Sequence, residues 1–430
     1  MVRFSRLASH ANYPLARVAN LLRRRPQYGA NERGIDRENA DEIRYIRITD
    51  VDDVGRLVPG LGATAETIDD RYLLNDGDIL LARSGNTAGK SYMYSMKDGP
   101  AIFAGYMIRF CFDPAKIIPA FAFIYTQLPV YDLWVQATRR LTGQPNINAE
   151  EYRSLTIPVP PETVQAQIVA NYSKAMEAYN SRLAQAAALL GSIDDFLLSE
   201  LGISLPPEAD NTLENRTFHV SAHDLGGWRF DPHALHPDVE ACRDAIERFG
   251  NHAHLRQVVS FSREQVAARQ EPLPYVGLEH VQGGTGILLD ADHDNDFGSA
   301  LVFRPGQVLF PKLRPYLNKV HLAETKGYCS TEFHVLEAKN VNAGFLALLL
   351  RSEVTVRQTK HLMTGNTLPR LQTRDVEQLP IPLPAKEVQD RIVEFAAKAK
   401  VEAERLNKTA TTELEAAKSE IEAILLGEAA

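Results

Sequence analysis

The feature that most constrains this chain is a duplication within its own sequence. The segment TIPVPPETVQAQIVANY at 156–172 returns as PIPLPAKEVQDRIVEFA at 380–396, an offset of 224 residues. The residues of the first copy that recur at this offset are Ile157, Pro158, Pro160, Val164, Gln165, Ile168 and Val169. Because self-similarity at a fixed spacing marks a repeated architecture, the sequence predicts two copies of one structural unit.

The similarity reaches far upstream of these two segments. Its offset drifts from 224 to about 240, as expected when loops differ in length and the elements persist. The further matches are RYIRITDVDDVGRLV (44–58) with PYVGLEHVQGGTGILL (274–289), LNDGDILLARSGNTAGK (74–90) with FRPGQVLFPKLRPYLNK (303–319), residues 118–140 with 341–361, and LARV (15–18) with LRQV (255–258).

Each copy has the pattern of a mixed α/β module of about 150 residues. Short runs rich in β-formers and bounded by Gly and Asp predict strands. Longer apolar runs at 120–140 and 344–362 predict helices. The second copy has an additional helix at 236–249, introduced by Asp231 and Pro232. The predicted strands include RYIRI, GDILLA, AIFAGYMIRFCF (101–112) and EFHVLEA (332–338).

Each copy ends in a proline-rich clamp, IPVPP or IPLP, followed by a long helix. Proline cannot continue a helix, and Glu162 and Glu387 then provide start signals. The helices are predicted at 162–201 and 386–426, with apolar residues at spacings of three and four that form near-heptad seams. We expect the two helices to pair antiparallel. Such a pair is either an ordinary bundle or a ruler, since each helix spans about 54–60 Å and one DNA turn about 34 Å.

The predicted fold class is therefore mixed α/β, with two tandem modules separated by long helices that pair as an antiparallel coiled coil. The predicted boundaries are 1–160 for the first module, 161–205 for a central spacer, 206–384 for the second module and 385–430 for a terminal spacer.

Composition narrows the functional class. The chain is 44% hydrophobic and 24% charged, which is typical of a globular protein, and it lacks a long apolar run and an apolar leader. Its three cysteines, Cys111, Cys242 and Cys329, are far apart, which favours a reducing cytoplasm over a disulfide framework. The net charge of −8 means that any surface for nucleic acid must be local.

Several short patterns resemble catalytic or metal motifs without meeting their requirements. SGNTAGKS (84–91) differs from the phosphate loop at its first position, and strand-like residues follow it. The histidines His219, His223, His233 and His236 lack the glutamate of HExxH. Glu337-Ala338-Lys339 ends a repeated strand whose counterpart lacks the pattern. We expect no catalytic residue, bound cofactor or metal in this chain.

The duplicated set of motifs, in this order, resembles the specificity subunits of type I restriction–modification systems. The resemblance covers nearly the whole chain. It rests on G-D-I-L-L-x-R-S-G-x-x-x-G-K (77–90), G-Q-P-N-I (143–147), S-T-E-F-H-V-L (330–336) and the two I-P-x-P-x-x-x-x-Q runs (157–165 and 381–389).

Membership would imply a non-catalytic DNA-binding subunit with two target-recognition domains, each reading half of a split site. The helices would set the gap between the two half-sites and bind two methyltransferase subunits, which carry the S-adenosylmethionine. Restriction or translocase subunits are a further possible partner in such complexes. A stand-alone nucleic-acid enzyme and a helical adaptor without DNA are the alternatives. Duplication favours the reader of a split site, because an enzyme rarely needs its whole architecture twice.

Two polar loops in each module provide candidate DNA contacts, because Arg, Lys, Asn and Gln read bases and small polar groups bind phosphates. Arg139, Arg140, Arg357 and Lys360 are candidates for additional phosphate contacts. The loop candidates are Arg83, Ser84, Asn86, Thr87 and Lys90 with Gln144 and Asn146 in the first module, and Lys312, Arg314, Tyr316, Asn318 and Lys319 with Gly365, Asn366, Thr367 and Arg370 in the second.

Overall fold

In the computed structural model of this chain, each proline-rich clamp forms a strand that closes its own module. Strand β1 (Leu15–Arg17) pairs antiparallel with β10 (Thr156–Pro158), and β11 (His252–His254) pairs in the same way with β20 (Pro380–Pro382). Ile157 lies opposite Ala16, and Ile381 lies opposite Ala253. The structure describes residues 12–138, 146–208, 212–220, 229, 231–289, 297–365 and 367–427.

The chain divides into two compact units, Met1–Leu183 with Asn407–Ala430, and Ala184–Leu406. The boundaries predicted at 160/161, 205/206 and 384/385 stay predictions.

Within the first unit, an antiparallel sheet has the order β2-β9-β6-β7, and β4 pairs parallel with β8. The remaining elements of this unit are β2 (Gln27–Tyr28), β3 (Gly34–Asp36), β4 (Arg44–Ile46), β5 (Ala63–Ala65), β6 (Ile79–Ala82), β7 (Ser91–Met93), β8 (Ala101–Phe103), β9 (Met107–Phe110), α1 (Val18–Leu21), α2 (Pro119–Tyr125), α3 (Pro129–Thr138) and α4 (Ala149–Ser154).

The second unit repeats this plan. Its main sheet has the order β12-β19-β16-β17, and β14 pairs parallel with β18. The helix predicted at 236–249 is present as α6 (Pro237–Phe249). The other elements are β12 (Val259–Ser262), β13 (Gln265–Val266), β14 (Tyr275–Val276), β15 (Ala300–Phe303), β16 (Val308–Pro311), β17 (His321–Leu322), β18 (Gly327–Cys329), β19 (Phe333–Ala338), α7 (Leu255–Val258), α8 (Ala343–Arg351), α9 (Glu353–His361) and α10 (Thr373–Glu377).

The repeat is shifted by three residues from the prediction at the start of each module. Val18 N donates to Leu155 O at 2.8 Å, and Leu255 N donates to Leu379 O at 2.9 Å. Val18 is therefore the counterpart of Leu255 and α1 that of α7, so the alignment of LARV with LRQV was wrong. The buried pairs Val18 with Leu21 and Leu255 with Val258 fix this register.

Three predicted elements are each broken in two. The helix predicted at 120–140 is interrupted before Pro129, because proline starts a new helix but cannot continue one. The helix predicted at 344–362 is interrupted at Ser352, whose Oγ donates to Leu349 O at 2.6 Å. The strand predicted at 101–112 turns at residues 104–106, so that β8 joins β4 while β9 joins β6.

The long helices match their predicted bounds within a residue, as α5 (Glu162–Glu200) and α11 (Lys386–Leu426). Within the first unit, Arg182 pairs with Glu413 at 2.8 Å, and Ile168 and Tyr172 share a core with Leu414 and Ile421. The predicted seams are thus buried, and the fold class is confirmed.

Within the second unit, the Phe196 and Phe395 rings stack at 4.0 Å, and Arg391 pairs with Glu200 at 2.6 Å. The helix segments are antiparallel within each unit. Among the described residues, no helix is long and apolar enough to cross a membrane.

Candidate nucleic-acid interface

The first polar loop of module one leaves the end of β6. Arg83 N donates to Tyr106 O at 2.9 Å, and Gly89 N donates to Ala82 O at 3.0 Å, which closes the loop on its own strand. Asn86 and Thr87 are exposed at its tip. Strand β7 follows directly, as predicted from the sequence, so this loop lacks the helix that a nucleotide-binding phosphate loop requires.

The two predicted loops of module one meet side by side. Ser84 and Asn146 form an antiparallel bridge, and Ile147 N donates to Arg83 O at 2.7 Å. The Asn146 Oδ1 atom is buried and has no hydrogen-bond partner among the described residues. The other predicted residue of this loop, Gln144, lies outside the described residues, as do Arg139 and Arg140.

An aromatic ring contacts the first candidate cation. The Arg83 guanidinium lies 5.1 Å from the centre of the Tyr28 ring, and Ala149 N donates to the Tyr28 hydroxyl at 3.2 Å. Tyr28 and Tyr106 are 40% and 50% exposed. Neither tyrosine was predicted from the sequence. The run LRRRPQY, an aromatic residue beside clustered arginines, was a signal for Tyr28.

Module two brings its loops together by the same backbone contacts. Lys312 N donates to Glu332 O at 2.7 Å, Leu371 N donates to Lys312 O at 2.8 Å, and Leu313 bridges Arg370. Lys312 is therefore the counterpart of Arg83, Glu332 that of Tyr106, and Arg370 that of Asn146. The two predicted loops of module two thus meet as those of module one do, and three positions have a counterpart.

Several side chains predicted to contact DNA turn toward their own module. Lys312 Nζ donates to Thr331 O at 2.7 Å, and burial lowers the pKa of its amine. Lys319 Nζ donates to Leu278 O at 2.8 Å, and Lys90 pairs with Asp53 at 3.0 Å. Asn318 Nδ2 donates to Arg351 O at 2.8 Å. These four side chains stabilise the loops that carry them.

Other predicted residues of module two remain on the surface. Arg314, Tyr316 and Thr367 are exposed. Arg314, directly before the Pro315–Leu317 turn, adopts the left-handed conformation with φ of 47°. Asn366 lies outside the described residues. The exposed set therefore lies in the two segments that the bridge between Leu313 and Arg370 joins.

The strongest contact at this edge joins Arg370 to Glu332. Arg370 Nε and Nη2 donate to the two Glu332 carboxylate oxygens at 2.9 and 2.8 Å, a bidentate pair. The guanidinium lowers the pKa of the Glu332 carboxyl. Glu332 lies within the S-T-E-F-H-V-L motif, although the sequence analysis assigned it no role.

The additional phosphate contact expected at Arg357 is wrong, and the one expected at Lys360 stays a prediction. Arg357 is 1% exposed and pairs with Asp238 of α6 at 2.5 Å. Lys360 pairs with Glu208 at 2.6 Å. The helical periodicity did not show that α6, a helix of the second module, would cover this face of α9.

One group of side chains offers three metal-ligand atoms within 4.8 Å: His236, Asp238 and His361. The two imidazole rings stack at 3.6 Å with an interplanar angle of 13°. Nitrogen lone pairs lie in the ring planes, so two stacked rings cannot direct them at one ion. His236 Nδ1 already accepts from Asp238 N at 3.2 Å. This arrangement fits a helix cap better than a metal site, and His223 lies outside the described residues.

The family of type I restriction modification DNA specificity domains matches residues 27–183 and 309–416, more than half of the chain. The chain belongs to that family. It is 29% identical over 91 residues to the type I restriction enzyme EcoDI specificity subunit of Escherichia coli. That match covers 21% of this chain and 20% of the relative, so the chain matches about a fifth of the length of that protein.

Three solved structures are similar over most of the chain. A chain from a study of complex assembly and conformational transition of the type I R-M system has a TM-score of 0.46 at 16% identity, with 96% of each chain covered. The HsdS subunit from Thermoanaerobacter tengcongensis has a TM-score of 0.33 at 16% identity, with 96% of this chain and 95% of that chain covered. The type I restriction-modification system S subunit from M. genitalium has a TM-score of 0.40 at 12% identity, with 96% of each chain covered.

Proposed function

We propose that this chain is the non-catalytic DNA-specificity subunit of a type I restriction–modification complex. Each module reads one half of a bipartite DNA site through its two adjoining loops. The observation that carries the proposal is that equivalent loops meet in both modules through the same backbone contacts, yet present different side chains. Two copies of one scaffold with different loop chemistry are suited to reading two different half-sites.

The partners follow from this role. Two methyltransferase subunits supply the S-adenosylmethionine and the catalytic groups, and restriction or translocase subunits complete the nuclease form, all in the cytoplasm. The net charge of −8 favours such a complex, since a subunit with this charge gains little from general attraction to phosphates. The stand-alone enzyme considered as an alternative gains no support from the family match.

A methylome comparison tests this function. The chain is expressed with its cognate methyltransferase subunit in a host that lacks type I systems, and genomic methylation is mapped. We expect one methylated motif made of two defined halves and a non-specific gap. Each subunit expressed alone is the control and should methylate nothing. A motif that appears without this chain, or no motif with both subunits, would contradict the proposal.

A further inference from the structure

The backbone register assigns Arg83, Tyr106 and Asn146 of module one a counterpart in module two. Arg83 corresponds to Lys312 because each amide donates to the turn before the next strand, at 2.9 and 2.7 Å. Asn146 corresponds to Arg370 because each bridges the residue that follows, Ser84 or Leu313. The first loop of module one and the second loop of module two therefore carry an arginine at this bridge.

In module one the guanidinium is held from the side by an aromatic ring. Tyr28 lies at the edge of the main sheet, and its ring faces Arg83 at 5.1 Å. The hydroxyl of Tyr28 accepts from Ala149 N at 3.2 Å, which fixes the ring. An arginine stacked in this way keeps its donor edge free and loses less side-chain freedom when it binds.

In module two the equivalent cation contacts its own backbone, and the position on the opposite loop carries an arginine. The Lys312 ammonium donates one of its three N–H groups to Thr331 O at 2.7 Å. Arg370 is held by two hydrogen bonds to Glu332, the counterpart of Tyr106. Those bonds use Nε and Nη2, which leaves the Nη1 edge of the guanidinium for another acceptor.

We propose that Arg83 and Arg370 each read a guanine, so that the two modules read their half-sites with cations from opposite loops. Tyr28 and Glu332 are the positioning residues that orient these guanidinium groups. The inference rests on the proposed function. Its chemical basis is the planar fork of arginine, which matches the O6 and N7 acceptors of guanine in the major groove, whereas a lysine ammonium is a point charge.

The test is selection from DNA randomised over both half-sites, using the complex of this chain with its methyltransferase subunit. The variants are Arg83→Lys and Arg370→Lys, which keep the charge and remove the fork. We expect Arg83→Lys to lower the guanine preference at one position of one half-site by about 10- to 100-fold. Arg370→Lys should do the same in the other half-site. In each variant the unaffected half-site reports that the complex is folded and assembled.

Positioning is tested separately. Tyr28→Ala and Glu332→Gln should weaken the same guanine preferences, whereas Tyr28→Phe, which retains a ring, should restore most of the preference lost in Tyr28→Ala. Matched controls are Arg56→Lys, an arginine 5.3 Å from the Tyr179 ring, and Arg304→Lys, which pairs with Glu264 at 2.7 Å. Both controls should leave the selected motif unchanged.

The outcomes distinguish a failure of the proposed function from a failure of the inference about Arg83 and Arg370. If the unmodified complex selects no bipartite motif, the proposed function fails and this inference fails with it. If it selects a motif that Arg83→Lys and Arg370→Lys leave intact, only the inference is overturned. An equal loss of affinity for all sequences in Arg83→Ala and Arg370→Ala, with a shallower salt dependence and an unchanged motif, would identify phosphate contacts and would also overturn it.

Discussion

Gln165 and Gln389 make the same two hydrogen bonds, one in each unit. Gln165 Oε1 accepts from Ile118 N at 2.9 Å, and its Nε2 donates to Pro160 O at 2.8 Å. Gln389 accepts from Asn342 N at 2.8 Å and donates to Pro384 O at 2.9 Å. The repeated glutamine thus joins the clamp, the long helix and the start of a module helix.

Replacing Gln165 by Met should destabilise the first unit by about 2 kcal/mol, because a backbone donor and a backbone acceptor lose their partner. Gln389→Met should affect the second unit equally. Urea unfolding monitored in each unit measures both effects. Gln136→Met, at an exposed position of α3, is the control. An equal loss of stability in this variant would contradict the role of the two hydrogen bonds that each repeated glutamine makes.

Arg357→Met should lower the free energy of unfolding by about 3 kcal/mol, because it leaves the buried Asp238 carboxylate without its closest cation. The selected DNA motif should not change, since Arg357 is buried against Asp238 of α6. Thermal unfolding measures the first effect and DNA selection the second. Arg304→Met breaks an exposed pair and should cost less than about 1 kcal/mol. A changed motif in Arg357→Met would restore a DNA role for this residue.

The free energy of unfolding should fall as the pH drops from 7 toward 4.5. Burial, the neighbouring His236 and Lys360 lower the pKa of His361 to about 4, despite Asp238. An unfolded histidine has a pKa of about 6.5, so between these values the unfolded state binds more protons and each pH unit costs up to about 1.4 kcal/mol.

His361→Gln should flatten this slope. Chemical denaturation at pH 7.5, 6 and 5 gives the comparison, with the exposed His252 replaced by Gln as the control. Equal slopes in the unmodified chain and His361→Gln would show that His361 does not titrate as its surroundings imply.

Gly89→Ala should destabilise the first loop more than Gly99→Ala destabilises its turn. Both glycines have positive φ, 99° and 77°, so both replacements strain the backbone. An added Cβ at Gly89 would lie 2.7 Å from Val135, whereas nothing lies within 4 Å of one at Gly99. We expect an additional loss of about 1–3 kcal/mol at Gly89 from overpacking. Denaturant midpoints give the difference, and equal losses would argue against the close packing.

The sequence predicted the elements that depend on local signals. Periodicity and the clamps located α5 and α11 within a residue, since a long amphipathic helix identifies its own face. The two polar loops of each module were also predicted, one after a repeated strand and one after a repeated helix, but their meeting side by side was not. The breaks at Ser352 and at residues 104–106 were missed, since both are decided by packing and not by helix or strand propensity.

The roles of single side chains were the least predictable part. Arg357, Lys312 and Lys319 are of the residue types that contact DNA. In this fold, each of them binds an acidic residue or a carbonyl group from elsewhere in the chain. Tyr28 and Glu332 contact their arginines over 55 and 38 residues of chain. A single sequence does not encode such long-range pairings as a local pattern.

The most direct test of the account is photo-crosslinking of the methyltransferase complex to its selected DNA, with a photoreactive base in one half-site at a time. We predict crosslinks at residues 83–90 from one half-site and at 312–319 or 367–370 from the other. Crosslinks from both half-sites to one module, or to the surfaces of α5 and α11 alone, would contradict the claim that each module reads its own half.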